Sequence, residues 1–170
     1  MADFGMADLG MAGVEAGFNH LDAQGHARMV DVTEKDVTVR TASAEGFVRL
    51  AASTVLALRD GAVPKGDALA VARIAGIAAA KRTPDLIPLC HPIAIHAVSV
   101  ELEVQDDGVA IAATVRTADR TGVEMEALTC VTVAALALID MVKALDRAAT
   151  ITDVCVVSKS GGRSGTWTRS

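Results

Sequence analysis

Two runs near the middle of the chain alternate strictly between apolar and polar or small positions. Val98, Val100, Leu102 and Val104 interleave with Ser99, Glu101 and Glu103. After a polar turn at 105–108, Val109, Ile111, Ala113 and Val115 interleave with Ala110, Ala112, Thr114 and Arg116. Period-two spacing predicts an antiparallel hairpin with one buried face. Residues 37–42 alternate in the same way and predict an earlier strand, and residues 29–32 a shorter one. Spacings of three and four then take over. Phe47, Leu50, Ala51, Val55 and Leu58 mark a helix face, with Ser43 as its N-cap, Glu45 in its first turn and Asp60-Gly61 at its end.

Residues 63–67 read as a turn, and Asp67 is placed to cap a helix over 68–81. Its surface is small (Ala70, Ala72, Ala75, Gly76, Ala78, Ala79, Ala80), which predicts close packing against a neighbour. Pro84, Pro88 and Pro92 follow at intervals of four, a spacing incompatible with a regular helix and unfavourable for a central strand. The result is an irregular but apolar stretch carrying Cys90-His91. The longest pattern covers 124–146. Glu124 and Glu126 stand at its front, residues 127–139 carry no charge, and Asp140 and Lys143 follow. Apolar residues occur all round this helix, so it is expected to be covered on more than one side. A last strand, 151–158, runs into the glycine-rich stretch 159–165.

The order strand, helix pair, strand, strand, helix, strand predicts an α+β fold. It is the ferredoxin-like split βαβ plan, an antiparallel sheet with helices on one face. The uncovered sheet face and the all-round apolar helix predict an oligomer. Residues 1–17 are an imperfect low-complexity repeat and read as a disordered leader, 18–165 as a single domain, and 166–170 as a C-terminal tail.

Composition narrows the function. The 170 residues are 51% hydrophobic and 22% charged, a globular balance. A net charge of -5 argues against a broad nucleic-acid surface, and 2% aromatics are too few to stack a run of bases. Three cysteines with no paired spacing predict reduced thiols in a cytoplasmic protein. No Lys or Arg precedes Arg28 to form the charged start of a signal peptide, and no uncharged apolar run approaches the length that spans a bilayer.

Lysine is scarce: five against eleven arginines. Lys65, Lys81, Lys143 and Lys159 all fall in or beside irregular segments or the long helix. Lys loses its proton on desolvation, whereas Arg effectively does not, and its compact charge suits phosphate. Asp140 and Lys143 share a helix face at i,i+3. They read either as an exposed, weak ion pair or as an acid–base pair in a dry site. Glu126 and Asp140 lie fourteen residues apart, about 21 Å along a helix. If both act on one small substrate, the simplest geometry is a site shared by two subunits. Cys90-His91 lacks the further ligands a zinc site needs; it reads as a buried Cys with a hydrogen-bonded His, a substrate-contacting His remaining open. Residues 158–165 read as a flexible terminus or as a backbone cradle for phosphate.

Taken together these segments resemble a known family. The matching stretches are Arg28-Met29-Val30-Asp31-Val32, Lys65-Gly66-Asp67, Ala72-Arg73-Ile74-Ala75-Gly76, Leu89-Cys90-His91-Pro92, Gly122-Val123-Glu124-Met125-Glu126-Ala127, Asp140-Met141-Val142-Lys143 and Lys159-Ser160-Gly161-Gly162. Their order and spacing from about Phe18 to Gly165 resemble the cyclic pyranopterin monophosphate synthases, the accessory-protein C family of molybdenum cofactor biosynthesis. The resemblance implies a lyase that converts 3',8-cyclo-7,8-dihydroguanosine triphosphate to cyclic pyranopterin monophosphate and pyrophosphate. It implies a homohexamer, a trimer of dimers, with sites at the dimer interface. By position it implies Asp140, Lys143 and Lys65 as catalytic residues. Leu89, Cys90, His91, Glu124, Met125, Glu126, Lys81 and Lys159 are implied as substrate-binding. No resident cofactor or metal is implied, with magnesium carried by the triphosphate left open. Arg163 stands where the family has a lysine. Two other classes remain: a non-catalytic module binding a phosphorylated ligand at a subunit interface, and a metal-storing or metal-sensing protein, for which the Cys and His are too few.

Overall fold

The computed structural model describes residues 24–163 and 165–170, so the expected leader at 1–17 and His20 lie outside the described residues. The chain divides into two compact units, Met1–Val30 and Asp31–Ser170. Of the first, residues 24–30 are described and carry no regular element beyond an isolated bridge at Ala27. The strand expected at 29–32 does not form.

Every helix and strand longer than a single bridge among the described residues lies in the second unit. Its elements are β1 (Thr38–Arg49), α1 (Ala52–Arg59), α2 (Ala68–Ala80), α3 (Thr83–Leu86), β2 (Ile95–Val104), β3 (Gly108–Asp119), α4 (Glu124–Val142), β4 (Thr150–Ser160) and β5 (Trp167–Thr168). The strands form one antiparallel sheet in the order β2-β3-β1-β4-β5. The first four strands follow the expected split βαβ plan, with β3 between β2 and β1.

The largest departure from the sequence expectation is in β1. The helix expected to start after Ser43 does not exist there; the strand continues to Arg49, and α1 begins only at Ala52. Pairing on both sides decides this. β1 is hydrogen-bonded to β3 along its whole length and to β4 from Thr41 to Arg49. Its inner face is Ala42, Ala44, Gly46 and Val48, small enough to let α4 lie directly on the sheet. A Cβ on Gly46 would stand 2.7 Å from Val131 Cγ1 of α4. Such non-local packing overrides local helix preference.

The local expectations for α2, the β2–β3 hairpin and α4 hold. Asp67 caps α2, its carboxylate accepting from the Ala70 N–H at 2.9 Å. The small face of α2 packs on α4, where a Cβ on Gly76 would lie 2.8 Å from the Cys130 carbonyl. The β2–β3 hairpin closes through Gln105 N–H donating to Gly108 O, and Val109, Ile111, Ala113 and Val115 are buried. The prolines restrict the following stretch to a single helical turn, α3, with Pro84 at its start. α4 is long and apolar enough, by length and composition alone, to cross a membrane, but half of it is buried inside the fold. Its apolar character is used along β1, β3 and β4 on one side and α2 on another.

Candidate functional site at the two ends of helix α4

Helix α4 carries charged groups at both ends, and each end recruits partners from distant parts of the chain. At its C-terminal end Asp140 Oδ1 accepts from Lys143 Nζ at 2.7 Å, one turn on. Asp140 Oδ2 accepts from Lys65 Nζ at 2.9 Å, and the same ammonium reaches the Asp140 carbonyl at 2.7 Å. Lys65 is delivered by the tight turn between α1 and α2, closed by Gly66 N–H donating to Val63 O, with Gly66 at φ +98°. The two ammoniums, Lys143's hydrogen bond first and Lys65's second, draw the Asp140 carboxyl down to about 2. It is therefore fully ionised at neutral pH.

The dry acid–base pair weighed from the sequence is not what the isolated chain shows. Asp140 is 57% exposed, and both lysine side chains are also open to solvent. The reason is rotation: Ala134, Ala135, Leu138, Met141 and Val142 take the inward positions, leaving Leu136, Asp140 and Lys143 outward.

At the N-terminal end the two glutamates separate. Glu124 opens the helix and accepts from Lys159 Nζ of β4 at 2.8 Å. Glu126, two residues on, turns inward and is 3% exposed. Burial lifts its carboxyl to about 7, opposed by the hydrogen bond from its own backbone N–H and assisted by the nearby charge of Glu124. Burial and then the charge of Glu126 in turn push the Cys90 thiol up. Cys90 and His91 are half-buried, whereas Leu89 and Met125 are exposed. Lys81, at the C-cap of α2, is exposed and joins neither cluster.

The structure thus brings Asp140, Lys143 and Lys65 together, and separately Glu124, Glu126, Cys90 and Lys159. It does not bring the two groups to one point within a chain, as the helix rise requires.

Sequence reading passed over a further cationic feature. A cavity of about 390 Å³ is lined by Lys35, Asp36, Thr38, Arg40, Gly162 and Arg163. Arg40 is fixed there by donating to the Asp119 and Arg120 carbonyls, each at 3.3 Å. A Cβ on Gly162, at φ +74°, would fall on the Arg40 guanidinium, so glycine allows this approach. Lys35 was the one lysine outside the set singled out, and Arg40 looked like an ordinary strand residue. Their convergence with the glycine turn, more than 120 residues later, has no local signal. No group of three or more His, Cys, Asp or Glu stands as a set of metal ligands among the described residues.

These features define a ferredoxin-like α+β domain with lysine–carboxylate clusters at both ends of its core helix. The MoaC family model matches residues 29–162, and the chain belongs to that family. Relatives include a cyclic pyranopterin monophosphate synthase of Streptomyces coelicolor, 66% identical over 151 residues and covering 89% of each chain. That of a Nocardioides species is 63% identical over 153 residues, covering 88% of this chain and 94% of its own. Cyclic pyranopterin monophosphate synthase 2 of Mycobacterium tuberculosis is 58% identical over 151 residues, covering 89% of this chain and 90% of its own.

Proposed function

We propose that this chain is a lyase of molybdenum cofactor biosynthesis, converting 3',8-cyclo-7,8-dihydroguanosine triphosphate to cyclic pyranopterin monophosphate and pyrophosphate. Family membership along nearly the whole domain supports the reaction. The observation that carries the assignment of residues is the Asp140 carboxylate held between Lys65 and Lys143. Closing the cyclic phosphate requires a sugar hydroxyl to lose its proton as its oxygen attacks phosphorus, and pyrophosphate to leave with its electron pair. Two ammoniums 2.9 and 2.7 Å from a common carboxylate are set to stabilise charge on that leaving group. Asp140 and Lys143 serve as the acid–base pair, with Lys65 beside them.

The other end of α4 recognises the substrate. Glu124 and Glu126 face the N–H groups of the guanine-derived ring, with Leu89, Cys90, His91 and Met125 around them. Glu126, titrating near neutrality, both accepts and donates. Lys81 and Lys159 serve the phosphates, and the cavity of Lys35, Arg40 and Arg163 adds positive charge for the triphosphate. No resident metal is required by these roles; magnesium would arrive with the triphosphate.

Because the two ends of α4 stand about 21 Å apart, one site is completed by two copies of the chain. Val71 and Ile74 on α2 and Leu136 on α4 are exposed apolar side chains on the helical layer, consistent with a second copy covering them. Such a cover would also remove water from Asp140 and its lysines. A homohexamer built as a trimer of dimers, in the cytoplasm, completes this reading.

A single-turnover assay tests it, following pyrophosphate and pterin by mass spectrometry. Release of both by the wild type and of neither by Asp140→Asn is expected. Tight binding without turnover would make the protein a ligand-binding module instead.

A further inference from the structure

The five residues after the glycine-rich turn read as a loose tail, yet they are built into the sheet. β5 returns along the outer edge of β4, pairing Trp167 with Lys159 and Thr168 with Ser158. Beyond it, Arg169 N–H donates to Val157 O and Arg169 Nε donates to Val156 O, both at 2.8 Å. The Arg169 guanidinium also lies 5.9 Å from the Trp167 ring centre. On its other side β4 is held by β1, where Ala42 faces Lys159 and Thr41 faces Ser160. Lys159 is therefore fixed from both sides at the point where β4 would otherwise be a free edge, and edges that lack a partner fray.

What lies next to this pairing is chemically loaded. The Lys159 ammonium bridges to Glu124 at 2.8 Å. Two residues further the chain turns through Gly161 at φ +96° and Gly162 at φ +74°, closing with Gly165 N–H donating to Gly162 O at 3.2 Å. A Cβ on Gly161 would stand 2.1 Å from Val39 O, so the turn is pressed against β1 beside Arg40. Gly162 and Arg163 form one wall of the cationic cavity. The β4–β5 pairing closes the loop that contains all of these.

We infer that β5 is a positioning element: through Trp167 and Arg169 it holds Lys159 where its ammonium binds the phosphate groups of an anionic substrate. Trp167 and Arg169 touch no reacting atom in this scheme; they act through Lys159. The inference rests on the proposed phosphate-binding role of Lys159, and its test separates the two.

The probe is inorganic tripolyphosphate, titrated calorimetrically into the full-length protein and three variants. These are a chain ending at Thr166, Lys159→Ala, and the two combined. Truncation is expected to weaken binding about tenfold, and Lys159→Ala by a similar factor. The combined variant should bind no more weakly than Lys159→Ala alone, because the tail acts through that lysine. Multiplying losses, about a hundredfold together, would show that β5 does not act through Lys159 and would overturn the inference. So would full affinity in the truncated chain. Lys159→Ala binding like wild type would remove Lys159 from the phosphate site, and the inference with it.

Arg169→Ala keeps β5 but loses its side-chain anchor, and guards against misfolding of the truncated chain. An about threefold loss of affinity at an unchanged melting temperature is expected; a lowered melting temperature with unchanged affinity would mark the tail as structural only. Trp167 is the sole tryptophan and the chain has no tyrosine, so intrinsic fluorescence reports on β5 alone. Tripolyphosphate should change that emission in the wild type and leave it unchanged in Lys159→Ala.

Discussion

Replacing Glu126 by Gln should make the protein more stable, and increasingly so as pH rises. Glu126 is 3% exposed in the first turn of α4, where a carboxylate is poorly solvated. Its folded-state value of about 7 lies above its ordinary 4.5. Below 4.5 the group is protonated in both folded and unfolded chains and costs nothing. Between 4.5 and about 7 the folded state keeps a proton that the unfolded state has lost, so stability falls as pH rises through this window. Above 7 the folded state carries a buried charge. At 1.36 kcal/mol per pH unit the full loss is roughly 3 kcal/mol. Gln has nearly the same shape and never ionises. Urea unfolding at fixed subunit concentration, from pH 4.5 to pH 8.5, reads the difference directly. The stability of Glu126→Gln minus that of wild type should grow by roughly 3 kcal/mol across the range. A difference independent of pH would refute the argument and mean that Glu126 is solvated or paired in solution.

Three further outcomes are expected. Lys65→Ala should leave folding and assembly intact while turnover falls by about two to four orders of magnitude; near-normal kinetics would take Lys65 out of the catalytic set. Asp146 is buried and accepts from the Ala51 N–H at 2.7 Å and the Ala148 N–H at 2.9 Å, tying the end of α4 to the start of α1. Asp146→Ala should cost about 2–4 kcal/mol in urea unfolding, and Asp146→Asn, which keeps an acceptor, distinctly less. Gly76→Ala should lower the melting temperature, because overpacking against the Cys130 carbonyl costs about 1–3 kcal/mol and outweighs the roughly 1 kcal/mol helical gain.

The elements that were legible in the sequence are those whose signal is local. The β2–β3 hairpin and α4 announce themselves by period, and the Asp67 cap and the Asp60-Gly61 stop by residue type. β1 beyond Ala42 was misread because Ala44, Gly46 and Val48 suit a strand only when β3, β4 and α4 surround them. β5 was missed for a similar reason: two residues make a strand only beside Lys159 and Ser158. Of the site, the i,i+3 pairing of Asp140 with Lys143 was visible in the spacing. The arrival of Lys65 at Asp140 came from the family resemblance, because the two are 75 residues apart. The outward facing of Asp140 depends on how α4 is rotated, and an apolar pattern spread all round the helix leaves that rotation undetermined. Arg40 comes beside Gly162 because β1 pairs with β4, and Lys35, whose carbonyl accepts from Arg120 Nε, joins them from the loop before β1.

The central claim is that opposite ends of α4 from two copies form one site. Co-expression of Asp140→Asn with Glu126→Ala, each inactive by itself, tests it most directly. With random pairing, half of the dimers are mixed, and each mixed dimer has one site carrying both substitutions and one carrying neither. The account predicts recovery of about a quarter of wild-type turnover in the mixed preparation. A mixture as inactive as either parent would contradict it, and would mean that the two ends of α4 do not meet across subunits in one site.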